Sequence, residues 1–103
     1  MVAEMTYQVR VADFEQGRKW YGVFLNRTPD LEPHADFVEW EIIPGGWLKV
    51  AKGAPAEGSD PLRLKVTSIE KERQRMIEEL HINFFEIYCR GEVPVKWATF
   101  TDP

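Results

Sequence analysis

At 103 residues, with 44% hydrophobic and 29% charged side chains, the chain has room for one domain of modest core and is too apolar to be disordered. A net charge of −4 with no basic stripe argues against a phosphate-backbone binder, so no nucleic-acid partner is expected. A single cysteine, Cys89, makes no internal disulfide, no apolar segment of signal-peptide type follows Met1, and no run approaches the roughly 18 apolar residues of a membrane span. These features predict a cytoplasmic protein without a membrane partner.

Residues 5–12 read as a strand, because Val9 and Val11 alternate with Arg10 and Ala12. Asp13 is an N-cap, Gln16 completes a capping-box spacing, and Phe14, Gly17, Tyr21, Phe24 and Leu25 form one stripe of a helix over 14–25. Asn26 to Asp36 reads as a loop, interrupted by Pro29 and Pro33. Phe37–Ile43 and Trp47–Ala51 read as strands joined by a hairpin turn at Pro44-Gly45-Gly46. Residues 52–60, small and without large apolar side chains, read as a linker. Beyond it come a strand at Leu62–Val66, a helix at Ser68–Leu80, a strand at Phe84–Arg90, a turn at 91–94 and a strand at Val95–Thr101.

The beginning of the chain returns in its second half. Laying Val11 on Val66 also lays Val9 on Leu64, Asp13 on Ser68, Phe14 on Ile69, Glu15 on Glu70 and Leu25 on Leu80. The second helix then carries its own cap, Ser68, and a stripe of Ile69, Met76, Ile77 and Leu80. Such a repeat means two copies of one supersecondary unit. With Val11-Ala12-Asp13, Trp20-Tyr21, Phe24-Leu25 and the closing Phe100-Thr101-Asp102-Pro103 in register, the chain resembles the vicinal oxygen chelate superfamily, the glyoxalase I, bleomycin resistance protein and extradiol dioxygenase group. The resemblance implies an α+β fold of two βαβββ modules in a curled mixed sheet with a ligand cup. It implies a single domain over 1–103, with module 1 at 1–51, the linker at 52–60 and module 2 at 61–103 lacking its last strand.

Alternation sorts the strands of such a fold. Val9 and Val11 face the helix and leave Thr6, Gln8 and Arg10 for the cup. Leu62, Leu64 and Val66 pack under the second helix and leave Arg63 and Lys65. Leu48 and Val50 turn inward and leave Trp47 and Lys49. Catalytic members of the resembled group hold one divalent metal with His, Gln or Glu donors from both modules. The matching positions here are Thr6, Pro61 and about Lys49, which a divalent ion does not favour. A slip of one residue in the first strand would bring Tyr7 to the ligand position, and a slip of two Gln8, a true ligand type of the group. Glu39 and Glu41 share a face, as an acid–base pair, a carboxylate patch or a solvated strand face. His34 reads as a loop or lid residue, His81 as a residue favoured by its helix C-terminus, and Cys89 as a small core side chain.

The expectation is a metal-independent protein, using no cofactor, that binds an aromatic or amphipathic small molecule through Gln8, Trp47, Arg63 and Glu41. A homodimer is expected because an incomplete module exposes a strand edge. One alternative is a lyase, isomerase or dioxygenase of the same group with a displaced metal site. Another is a non-catalytic dimeric ferredoxin-like module of βαββαβ order.

Overall fold

The computed structural model describes residues 1–56 and 62–103. Its elements run β1 (Met5–Val11), α1 (Phe14–Leu25), β2 (Leu31–His34), β3 (Phe37–Ile43), β4 (Gly46–Lys52), α2 (Ile69–Leu80), β5 (Tyr88–Arg90) and β6 (Val93–Trp97). Contacts divide the chain between Leu62 and Arg63 into two compact units.

In the first unit the strand order is β1-β4-β3-β2, with β1 parallel to β4 and the other two pairs antiparallel. This βαβββ order, with Pro44-Gly45 turning β3 into β4, excludes the ferredoxin-like alternative. Gly45 is held at φ 78, a conformation that glycine adopts without a Cβ penalty. Its carbonyl accepts from the Met5 amide at 2.8 Å, which ties the turn to the start of β1.

α1 starts where the cap spacing placed it. The Asp13 carboxylate accepts from the Gln16 amide at 3.1 Å, satisfying one of the amides that a helix leaves unpaired at its start. Asn26 ends the helix in the left-handed conformation, and its amide donates back to the last turn. The helix covers one face of the sheet. Val11, Tyr21, Val38, Trp40, Leu48 and Val50 are buried there, with Val9, Phe14, Trp20, Phe24, Leu25, Ile42 and Leu62 packed around them. Each fully buried side chain of this kind contributes about 1.5–3 kcal/mol of transfer free energy. Gly17 is required at its place, since a Cβ there would stand 2.5 Å from Val11 Cγ2. The Trp40 indole N–H donates to the Arg27 carbonyl at 3.0 Å, so the largest core side chain is also satisfied.

The βαβββ order implies one strand more than the residue pattern placed: β2 occupies part of the predicted loop. It is an edge strand, where a proline such as Pro33 costs no ladder hydrogen bond. Asp30, just before it, accepts from Arg27 and from the Glu41 amide, the latter at 2.7 Å. Arg18 of α1 pairs with Glu32 of β2.

The second unit repeats the helix without repeating the sheet. Ser68 accepts from the Lys71 amide at 3.3 Å, and His81 closes α2 in the left-handed conformation at φ 55. Arg75 pairs with Glu72 and Glu79 along the helix. β5 and β6 form a two-stranded hairpin whose Tyr88 and Trp97 rings lie 5.8 Å apart. The hairpin is shorter than predicted at β5, and β6 begins earlier, at Val93. Residues 62–66 were predicted as a strand under α2 but form none, and Leu64 and Val66 are exposed. Among the described strands of the first unit, β1 is held by β4 alone. No described strand of the second unit takes the corresponding place, so 62–66 has no ladder to join. Leu62 packs on the first unit's core instead. Cys89, predicted as a core residue, is exposed on the short hairpin. Among the described residues no helix is long and apolar enough to cross a membrane.

Candidate functional site: the sheet face opposite the first helix

Register fixes which side chains share the face turned away from α1. Thr6 lies beside Trp47, Gln8 beside Lys49 and Arg10 beside Ala51 across the β1–β4 ladder. Across β3–β4, Glu41 lies beside Trp47, Glu39 beside Lys49 and Phe37 beside Ala51. Their inward neighbours Leu48, Val50, Val38 and Trp40 are buried under α1, so the period-2 sorting of β1 and β4 holds. Thr6, Gln8 and Arg10 are exposed, whereas Phe37, Glu39, Glu41, Trp47 and Lys49 are half-buried.

Three of the four candidate ligand contacts, Gln8, Trp47 and Glu41, therefore stand on one face, with Glu41 and Gln8 reaching it from the strands on either side of β4. Arg63, the fourth, belongs to the second unit, in its exposed segment 63–67. Glu41 has a local task as well: its carboxylate accepts from the Gly45 amide at 3.2 Å, bracing the turn. The Trp47 indole N–H is buried and meets no acceptor among the described residues. An unpaired buried donor costs about 1–3 kcal/mol, so such a group marks a place where an acceptor is wanted.

Sequence reasoning passed over Phe37. The Lys49 ammonium lies 4.1 Å from its ring centroid, an attraction between cation and ring face. The parity of Glu39 and Glu41 would have put Phe37 on this face. The pairing with Lys49, however, depends on the β3–β4 register, which the composition of either strand does not reveal.

The donor set does not fit the divalent ion of the resembled group. Thr6 offers a neutral hydroxyl and Lys49 a positive charge, and Pro61 lies outside the described residues. The register sets Gln8, not Thr6, beside Lys49, so even the shifted alignment joins an amide to an ammonium. Among the described residues no three His, Cys, Asp or Glu side chains are grouped to hold an ion. His34 lies on β2, and its side chain is outside what is described.

A separate open depression of about 480 Å³ lies where β1 runs into α1, lined by Ala12, Asp13, Phe14, Glu15, Ala35, Asp36 and Lys52. It includes none of the candidate residues, and Asp13 there is already engaged as the helix cap.

A mixed sheet of β1-β4-β3-β2 order with a helix on one face, followed by a second capped helix and hairpin, has the fold of a glyoxalase/bleomycin resistance protein. The crystal structure of a glyoxalase/bleomycin resistance protein from Catenulispora acidiphila DSM 44928 is similar over 97% of this chain and 88% of that one, with a TM-score of 0.74 at 24% identity. No family model and no curated protein matches the sequence.

Proposed function

We propose that this chain binds a small aromatic or amphipathic molecule on the face carrying Gln8, Trp47 and Glu41, without a metal ion. The observation that supports it is the Trp47 indole N–H, without an acceptor among the described residues, on a half-buried ring flanked across the ladders by Thr6 and Glu41. An apolar surface with a few convergent polar groups is the usual make-up of a ligand site. Metal independence follows from donor chemistry. Lysine coordinates only after losing a proton whose reference pKa is about 10.4, which costs several kcal/mol at neutral pH. A lone glutamine cannot hold Zn²⁺ or Ni²⁺ without converging partners.

Thermal-shift screening of small aromatic compounds tests this reading, with and without EDTA. A ligand at ~100 times its dissociation constant should stabilise the fold by about 2.7 kcal/mol. The shift should persist in EDTA and disappear in Trp47→Ala. A stoichiometric Ni²⁺, Zn²⁺ or Mn²⁺ ion retained through dialysis by the wild type and lost in Gln8→Ala would overturn the metal-free reading. That result would favour a lyase, isomerase or dioxygenase.

A further inference from the structure

We propose that the ligand of this face is an aromatic carboxylate, its oxygens received by the Lys49 ammonium and the Trp47 indole N–H. The inference rests on the reading above and adds to it the sign of the ligand's charge.

Lys49 is the observation that carries it. Its ammonium lies over the Phe37 ring at 4.1 Å and forms no ion pair among the described residues, although Glu39 is its neighbour across the ladder. A cation seated on a ring keeps its other N–H bonds for an acceptor. Trp47 stands two residues away on the same strand and face, about 7 Å along it. Its N–H is buried and has no acceptor among the described residues. On the other side of Lys49, Gln8 adds an amide donor. A carboxylate has two oxygens and about four lone-pair sites, so it can satisfy an ammonium and an indole together. Glu41, beside Trp47, accepts from the Gly45 amide, and among the described residues neither it nor Glu39 takes up the Trp47 N–H or pairs with Lys49. The Trp47 ring offers apolar surface to the aromatic part of such a ligand, while Phe37, opposite Ala51, serves as the seat of the ammonium.

Three probes of one shape and different charge decide it: benzoate, benzamide and benzylamine, each titrated into the full chain labelled with ¹⁵N. The Trp47 indole cross-peak is assigned by its loss in Trp47→Phe. Benzoate should move that peak and saturate at a concentration at least about tenfold below benzamide, the usual advantage of a charge-assisted hydrogen bond. Lys49→Met should bring benzoate down to the benzamide level, and Lys49→Arg should keep its advantage. Equal binding of benzoate and benzamide, or tighter binding of benzylamine, overturns the carboxylate assignment while leaving a ligand site on this face. If none of the three moves the Trp47 peak, the assignment and the site fall together.

Discussion

α1 and α2 are the same length, each begins behind a side-chain cap, and each ends on a residue in the left-handed conformation. At matching places in the repeat, each buries one large side chain, Tyr21 in α1 and Met76 in α2. Their surroundings differ sharply. α1 lies on four strands and a core containing the fully buried Trp40, Leu48 and Val50. The second unit has a two-stranded hairpin, Met76 as its sole buried hydrophobic among the described residues, and Phe84, Tyr88, Val95 and Trp97 exposed. A helix can be specified by nearby residues, because its hydrogen bonds and caps close within a few positions. A sheet cannot, because each strand depends on a neighbour from elsewhere in the chain.

The largest expected effect tests that contrast directly. Trp40→Ala removes a fully buried indole and its hydrogen bond to Arg27, and should cost about 3–5 kcal/mol in urea denaturation. Met76→Ala should cost about 2 kcal/mol, the low end for a buried methionine, because half-exposed neighbours can close around it. Equal losses would erase the distinction between the two units. Gly17→Ala sharpens it at a smaller scale. Alanine favours the helix by about 1 kcal/mol, but its Cβ would collide with Val11, leaving a net loss of about 1–2 kcal/mol. At the matching place in α2, Glu72→Ala should stay within about 0.5 kcal/mol, as for surface substitutions generally.

The smallest effect concerns the ion pair that joins α2 to β6. Lys96 donates to Glu70 at 2.7 Å. That hydrogen bond, followed by one from the glutamate's own backbone, holds the Glu70 carboxyl below its ordinary range. The same bond, with the carboxylate's charge, raises Lys96. The depressed Glu70 contributes stability above its unfolded value, and that contribution is lost as pH falls through the folded one. The raised Lys96 contributes below its unfolded value and is lost as pH rises through the folded one. Both groups are solvent-exposed, so the contribution is small. A ¹³C titration of the Glu70 carboxyl should return toward the ordinary glutamate value in Lys96→Met. A midpoint unmoved by that substitution would mean the pair is not formed in solution.

What could be read from the residues follows the same division. Asp13, Ser68 and the spacing of Phe14, Tyr21 and Leu25 announce both helices, since caps and periodicity are local signals. Val9, Val11, Leu48 and Val50 sort correctly to the covered face because alternation is local as well. β2 was hidden by Pro33, which reads as a loop signal until the strand is known to lie at an edge. Residues 62–66 misled in the opposite sense: they alternate like a strand but pair with none of the described strands. At the candidate site, Gln8 and Trp47 could be placed on one face from parity. The seat of Lys49 on Phe37 and the brace from Glu41 to Gly45 could not, because both depend on how β3 turns into β4.

The parallel pairing of β1 with β4 also bears on how fast the first unit assembles. Met5 meets Gly46 and Val11 meets Lys52, partners roughly forty residues apart, and closing so long a loop is the slow, entropically costly step of a fold. β3 and β4, joined by a two-residue turn, have no such barrier. α1 lies within the long loop, and every residue it orders beforehand is one fewer to be searched when β1 finds its partner. The Asp13 cap and the Asn26 terminus thus act on the speed of closure as well as on the strength of the helix.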